Sequence, residues 1–193
     1  MNDRTMTASG IPGFHDMHLG SHACLFYGAP KEFLRVTAAF LTAGLAGHEL
    51  CVWVLPPPVT IPLAFSALLR HGLNGPMLQA SQQLQIISAQ EWYSSGSFDV
   101  QESLHRLEAL PVFARKCGYA RVRAAGGPGK FVSEPSRQAF LRYERHVTPL
   151  LKALPLVGLC CYASSECVAT DMFDIMSAHP QTLIRTQAGW GSL

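Results

Sequence analysis

The residues able to do chemistry in this chain are mostly thiols and imidazoles. Only 15% of its 193 residues are charged, yet it carries six Cys and eight His. His22 and Cys24 stand two apart in the run His22-Ala-Cys24-Leu-Phe-Tyr27. Side chains two apart on a strand share a face, so the imidazole and thiol point the same way, as ligands of a borderline or soft metal would. The plainer reading makes Cys24 a small core hydrophobe and His22 a strand cap. Leu159-Cys160-Cys161-Tyr162 closes another apolar run. There Cys160 and Tyr162 share a face and Cys161 takes the other. With Cys24, Cys51 and Cys160 on neighbouring strands, three thiols would converge in a metal or redox site, although no paired C-x-x-C marks one. The metal candidates are His22, Cys24, Cys160 and Cys161, and haem is a further option for such a set. His179-Pro180 ends a helical stretch; His179 either caps it or reaches the same site.

Other constellations are weaker. Tyr27-Gly28-Ala29-Pro30-Lys31 and Gly126-Gly127-Pro128-Gly129-Lys130 resemble phosphate loops. Both lack the glycine spacing and the hydroxyl residue after the Lys that such a loop needs, so ATP hydrolysis is not supported. Glu91-Trp92-Tyr93 with Phe98 and Asp99 could wall a small-molecule pocket or plug the end of the sheet, with Asp99 capping the next helix. Ser95-Gly96-Ser97 is no nucleophile elbow, and no hydrolytic triad is visible.

The elements that must position these residues follow from apolar patterning. Continuous apolar runs predict buried strands at Ala23–Tyr27, Leu50–Leu55, Leu84–Ser88, Tyr119–Ala124, Leu156–Tyr162 and Thr182–Thr186. Helical spacing predicts helices over Lys31–Ala46, Ile61–His71, Asp99–Cys117 (bent or split at Pro111), Glu134–Leu154 (broken near Pro149) and Glu166–Ala178. Runs without alternation mark strands covered on both faces. The expected fold is therefore α/β, a three-layer sandwich with a mostly parallel central sheet, and ligands are expected at the carboxyl ends of its strands. Residues 1–18 read as a flexible lead-in and residues 19–190 as one domain.

Composition narrows the function. The hydrophobic set is 48% and the net charge +2, which is not the composition of a disordered chain. No Lys/Arg block appears, so direct nucleic-acid binding is not expected. No apolar stretch spans a bilayer and no secretory leader opens the chain, so a cytoplasmic protein with reduced thiols and no membrane contact is expected.

Taken together, His22-x-Cys24-x-x-Tyr27, Gly44-Leu-Ala-Gly-His-Glu49, Glu91-x-Tyr93-x-x-Gly96-x-Phe98-Asp99, Arg123, Tyr143-Glu144, Cys160-x-Tyr162 and His179-Pro180 resemble a MEDS domain, the sensory domain of methanogens, methylotrophs and the DcmR regulator. The resemblance runs over nearly the whole chain. It implies a degenerate RecA/KaiC-like fold and a sensory role, with one-carbon or hydrocarbon-derived molecules as ligands.

The expected function is thus a non-enzymatic sensor that binds a small, largely apolar molecule and regulates a separate transcriptional or signalling partner. The expected contacts are His22, Cys24, Tyr27, Glu91, Tyr93, Arg123, Cys160, Tyr162 and His179, gathered at one rim of the sheet. The sequence requires no cofactor. Alternatives are a metal, haem or thiol-redox sensor, a residual nucleotide-binding module, and an interaction module whose Trp53, Trp92 and Trp190 serve a homodimer surface.

Overall fold

The structure, a computed structural model, describes residues 6–93, 98–130, 134–186 and 189–192. Where a flexible lead-in was expected, the described part packs onto the domain. Strand β1 (Met6–Thr7) pairs antiparallel with β2 (Met17–His18), and Ile11, Phe14 and Met17 are buried in the core. An apolar side chain every three or so residues gives this segment enough surface to bury that it folds down.

The remaining strands are β3 (His22–Tyr27), β4 (Leu50–Leu55), β5 (Leu84–Ser88), β6 (Val122–Gly126), β7 (Leu156–Ala163), β8 (Gln181–Thr186) and β9 (Gly189–Ser192). The helices are α1 (Pro30–Ala46), α2 (Ile61–Leu69), α3 (Gly75–Ala80), α4 (Ala89–Trp92), α5 (Val100–Lys116), α6 (Glu134–Leu151) and α7 (Ala169–Ala178). One sheet runs β5-β4-β6-β7-β3-β8-β9. Its neighbours are parallel except for the terminal β8–β9 pair, which is antiparallel. The expected three-layer α/β sandwich is what forms. Strand β4 shows why, since Leu-Cys-Val-Trp-Val-Leu is buried at every position and both its faces need cover.

The two cores are chemically distinct. Cys51, Trp53, Leu55 and Leu159 pack with Phe33, Leu41 and Leu68 of α1 and α2. Val52, Cys24 and Tyr162 pack with Leu107, Phe140 and Ile175 of α5, α6 and α7. Register decides this division. His22 lies opposite Gly158, Cys24 opposite Cys160 and Phe26 opposite Tyr162, so the even positions of both strands meet the α5–α7 side. A one-residue slip would exchange the faces.

Several expected boundaries change. Helix α5 passes through Pro111 without a break. Its buried stripe of Leu107, Leu110 and Ala114 outweighs the ~3 kcal/mol an interior proline costs. Pro149 sits in the last turn of α6, which stops at Leu151. Strand β6 starts at Val122, after Tyr119, and reaches Gly126. The stretch after β7 begins as a short 3-10 turn, Ser164–Glu166, before α7. Helix α3 was not foreseen, although its signal was in the sequence: Asn74 Oδ1 accepts from the Met77 amide at 3.1 Å and Pro76 occupies the first turn. Strand β9, also unforeseen, completes the sheet.

Candidate functional site

On the α5–α7 side of the sheet, four donor groups from four elements converge. His22 opens β3, Cys160 lies inside β7, Glu144 projects from α6, and His179 ends α7. One ligand atom from each lies within 4.8 Å of all the others. Glu144 Oε2 is 3.4 Å from His22 Nε2 and 3.4 Å from His179 Nε2. Cys160 Sγ is 3.2 Å from His22 Nε2 and 3.8 Å from Glu144 Oε2. The two imidazole rings lie 4.0 Å apart.

Local structure explains the convergence. In α6, Phe140, Leu141, Tyr143, Val147 and Leu151 are buried against the sheet, and Glu144 and Thr148 fall on the same inward stripe, four residues apart. Gly158, opposite His22 in the register, leaves the imidazole its space. A Cβ there would stand 3.6 Å from His22 Cδ2 and 2.9 Å from Leu151.

The proton positions are decided by the outer partners. Thr148 Oγ1 donates its one hydrogen to the Ala178 carbonyl at 2.7 Å. It must therefore accept from His22 Nδ1, 2.8 Å away. His179 Nδ1 donates to the Ile175 carbonyl at 2.7 Å, since a carbonyl only accepts. Both Nδ1 atoms thus carry protons, and each Nε2 faces Glu144, as a lone pair on a neutral ring and as a donor on a protonated one. Among the described residues, no hydrogen-bond partner reaches Glu144 Oε1.

Burial, then the neighbouring charge of His179, holds the pKa of His22 below its ordinary value despite Glu144. For Glu144, burial works against ionisation, but the adjacent His179 and His22 prevail and keep the carboxyl below its usual range. Burial, reinforced by Glu144, pushes the Cys160 thiol upward. A free Cys160 is therefore a thiol at neutral pH.

Beside the cluster lies a cavity of about 40 Å³, with His22 and Cys160 in its wall. The rest of the lining is apolar or aromatic, including Val54, Trp92, Tyr93, Leu107 and Tyr143. Tyr93 and Phe140 meet edge-on at 5.3 Å, and Phe98 stacks beside both. A wider groove of about 560 Å³ lies between α1 and α2, lined by Lys31, Glu32, Arg35, Arg70 and Arg185. It is roomier but lies away from the thiols and the buried carboxylate. The small cavity is the one beside the convergent donors.

The expected contact set divides between the two faces. His22, Cys160 and His179 come together, with Tyr162 and Tyr93 on the same side. Cys24 shares that side, but its thiol meets Thr182 Oγ1 at 3.3 Å and stays outside the four-donor group. Tyr27 packs on Phe33 in the opposite core. Arg123 is also on that opposite side, with Glu49 at 2.7 Å and the Phe40 ring beneath its guanidinium. Glu91 is exposed and closes a capping box with Ser88. The single rim is thus corrected to a site inside the sheet face, near the amino end of β3. Strand alternation sends Arg123 and Tyr27 away from it.

The metal candidates change in the same way. Cys161 faces the other core and its thiol turns to the Leu159 carbonyl. Cys51 also lies there, so the three-thiol cluster does not form. Glu144 takes its place. The resemblance carried Glu144, but the reading of single motifs missed it. The available signal was a carboxylate on the apolar stripe of α6. The remaining expectations also acquire positions. Ser95, Gly96 and Ser97 lie outside the described residues. Asp99 does cap α5, accepting from the Glu102 amide at 3.0 Å. Trp53, Trp92 and Trp190 are buried within the chain, so they offer no dimer surface. At Gly28 the amide donates to Glu32 Oε2 at 2.8 Å, which puts a carboxylate where a phosphate loop would hold an anion.

Among the described residues no helix is long and apolar enough to cross a membrane. No curated protein matches the chain. A family model does, over residues 21–180, spanning β3 to the end of α7 and so all four converging donors. On that match the chain belongs to the MEDS family, the methanogen/methylotroph, DcmR sensory domain.

Proposed function

We propose that this sensory domain binds a small, largely apolar molecule of the one-carbon or hydrocarbon-derived class in the cavity beside His22 and Cys160, and that it does so without turnover. The observation that carries the reading is the cavity itself. Its volume of about 40 Å³ exceeds the ~10–15 Å³ that one water needs. It is far below the roughly 300–1,000 Å³ of a drug-sized pocket. An occupant of a few heavy atoms fits, whereas a porphyrin does not. The apolar wall favours carbon or halogen, and the imidazole and thiol provide one polar end.

Binding here would bridge β3, β6, β7, α5 and α6, so occupancy would be felt by a separate transcriptional or signalling partner through the packing of the α5–α7 layer. The doubly covered parallel sheet, with a strand–glycine–helix turn at Gly28, supports a RecA/KaiC-like kinship without a working phosphate loop.

Thermal unfolding with methanol, dichloromethane and methylamine as probes tests the reading, since a ligand of the native state raises stability. At least one probe should raise Tm in the parent protein and none in Ala124→Leu, which fills the cavity. An equal shift in both proteins would place binding elsewhere, and no shift with any probe at millimolar concentration would overturn the reading. Mg²⁺-ATP should give no shift, because the Glu32 carboxylate already occupies the Gly28 amide in the turn before α1. A saturable shift with ATP would restore the nucleotide alternative.

A further inference from the structure

We propose that His22 Nε2, His179 Nε2, Glu144 Oε2 and Cys160 Sγ together bind one divalent zinc ion. The site stands on its own geometry and does not require an organic molecule in the cavity.

Distances support it first. Zinc bonds of about 2.0–2.1 Å to nitrogen or oxygen and about 2.3 Å to sulfur put tetrahedral ligand atoms about 3.3–3.6 Å apart. The cluster has edges of 3.2, 3.4, 3.4 and 3.8 Å. The two remaining edges, from His179 to His22 and to Cys160, lie within 4.8 Å, so a bound ion would draw the donors together.

The outer hydrogen bonds are those a metal site requires. A ligating histidine donates its other ring N–H to a carbonyl or similar acceptor, which sets the tautomer. Here Thr148 and the Ile175 carbonyl do this for His22 and His179. With both rings neutral, two lone pairs face one carboxylate oxygen, an arrangement that a cation held between them relieves. Glu144 Oε1 is buried and without a hydrogen-bond partner among the described residues, which is costly for a polar group in a core.

Charge and ligand chemistry complete the case. Zinc binding displaces the Cys160 thiol proton to solvent. One thiolate, one carboxylate and two neutral imidazoles balance a dication, so the buried assembly is neutral. Oxygen-only cations such as Mg²⁺ and Ca²⁺ have no use for sulfur and imidazole, whereas zinc takes all three donor types.

The test uses the full chain. Chelator-treated protein is titrated with Zn²⁺ and, separately, with Co²⁺ as a spectroscopic substitute, and bound metal is counted by elemental analysis. The expected result is one metal per chain, tetrahedral cobalt bands in the visible and a thiolate-to-cobalt band in the near ultraviolet. Cys160→Ser should lose the thiolate band, while Cys167→Ser should keep it. Thr148→Val touches no metal in the proposed site and should weaken zinc affinity about 10–100-fold through the His22 ring.

Folded protein that takes up no stoichiometric zinc and gives no cobalt spectrum would overturn the site and leave a proton-bridged His–Glu–His cluster. A thiolate band that survives Cys160→Ser would do the same. Should the variants not fold, the parent cobalt spectrum alone decides, because tetrahedral bands without sulfur charge transfer contradict the donor set. Zinc binding with no organic-probe shift would remove only the cavity reading. Probe binding by protein without a metal site would remove only this one.

Discussion

Thiols that look alike in the sequence differ once their surroundings are known. Cys24, Cys51 and Cys161 are buried, and burial pushes Cys24 up to about 12 and the other two further still. Cys167 is half-buried, raised to about 11 by burial and then by Glu166, and Cys117 is also partly accessible. The thiolate is the reactive form, so for Cys167 against the three buried thiols accessibility and ionisation point the same way, and for Cys117 accessibility decides. Native protein treated with a thiol reagent at pH 8 should modify Cys117 and Cys167 first, and Cys24, Cys51 and Cys161 only on unfolding. Mass-spectrometric mapping of the modified peptides checks this, and labelling of Cys24 as fast as Cys167 would show that the α5–α7 face opens.

Between elements, the main fastening outside the candidate site is Arg123. Its guanidinium on β6 meets Glu49, which precedes β4, at 2.7 Å. It also donates to Thr7 Oγ1 in β1 at 2.7 Å and to the Phe40 carbonyl in α1 at 3.0 Å. One buried side chain thus joins the amino-terminal segment, a helix and the sheet. Glu49→Ala leaves that cation buried and unpaired, which typically costs about 3–5 kcal/mol. A urea denaturation midpoint lowered by this free energy divided by the slope, with the slope itself unchanged, is the expected result. Gly44 belongs to the same device, because a Cβ there would stand 2.6 Å from Arg123 Nε and 2.9 Å from Cys51 Sγ. Gly44→Ala should destabilise by about 1–3 kcal/mol, the cost of overpacking a filled core, and the same denaturation experiment measures it.

At the scale of the molecule, the four donors come from positions 22, 144, 160 and 179, so the site exists only when sheet, α6 and α7 are docked together. Any ligand of that site must therefore stabilise the whole domain. Zinc at a free concentration 100 times its dissociation constant should add about 2.7 kcal/mol. At roughly 2–4 °C per kcal/mol for a chain of this size, calorimetry should show a rise of about 5–11 °C that chelator removes. His22→Ala should abolish the metal-dependent part of that rise whatever it does to the starting Tm.

The layer architecture is legible in the chain's patterning alone, because apolar runs without alternation must be covered on both faces, and turn chemistry at Gly28-Ala29-Pro30 and Pro56-Pro57-Pro58 ends two of those runs. The same patterning picks out His22, Cys160 and His179, as polar groups in otherwise apolar surroundings. Which of the chosen residues share a site follows from how the strands and helices pack. Strand alternation is visible in sequence, but the face that each strand turns to a given helix layer depends on register and order across the sheet. Those two properties sent Arg123, Tyr27 and Cys161 to one side. They brought Glu144, a helix residue more than a hundred positions from His22, to the other.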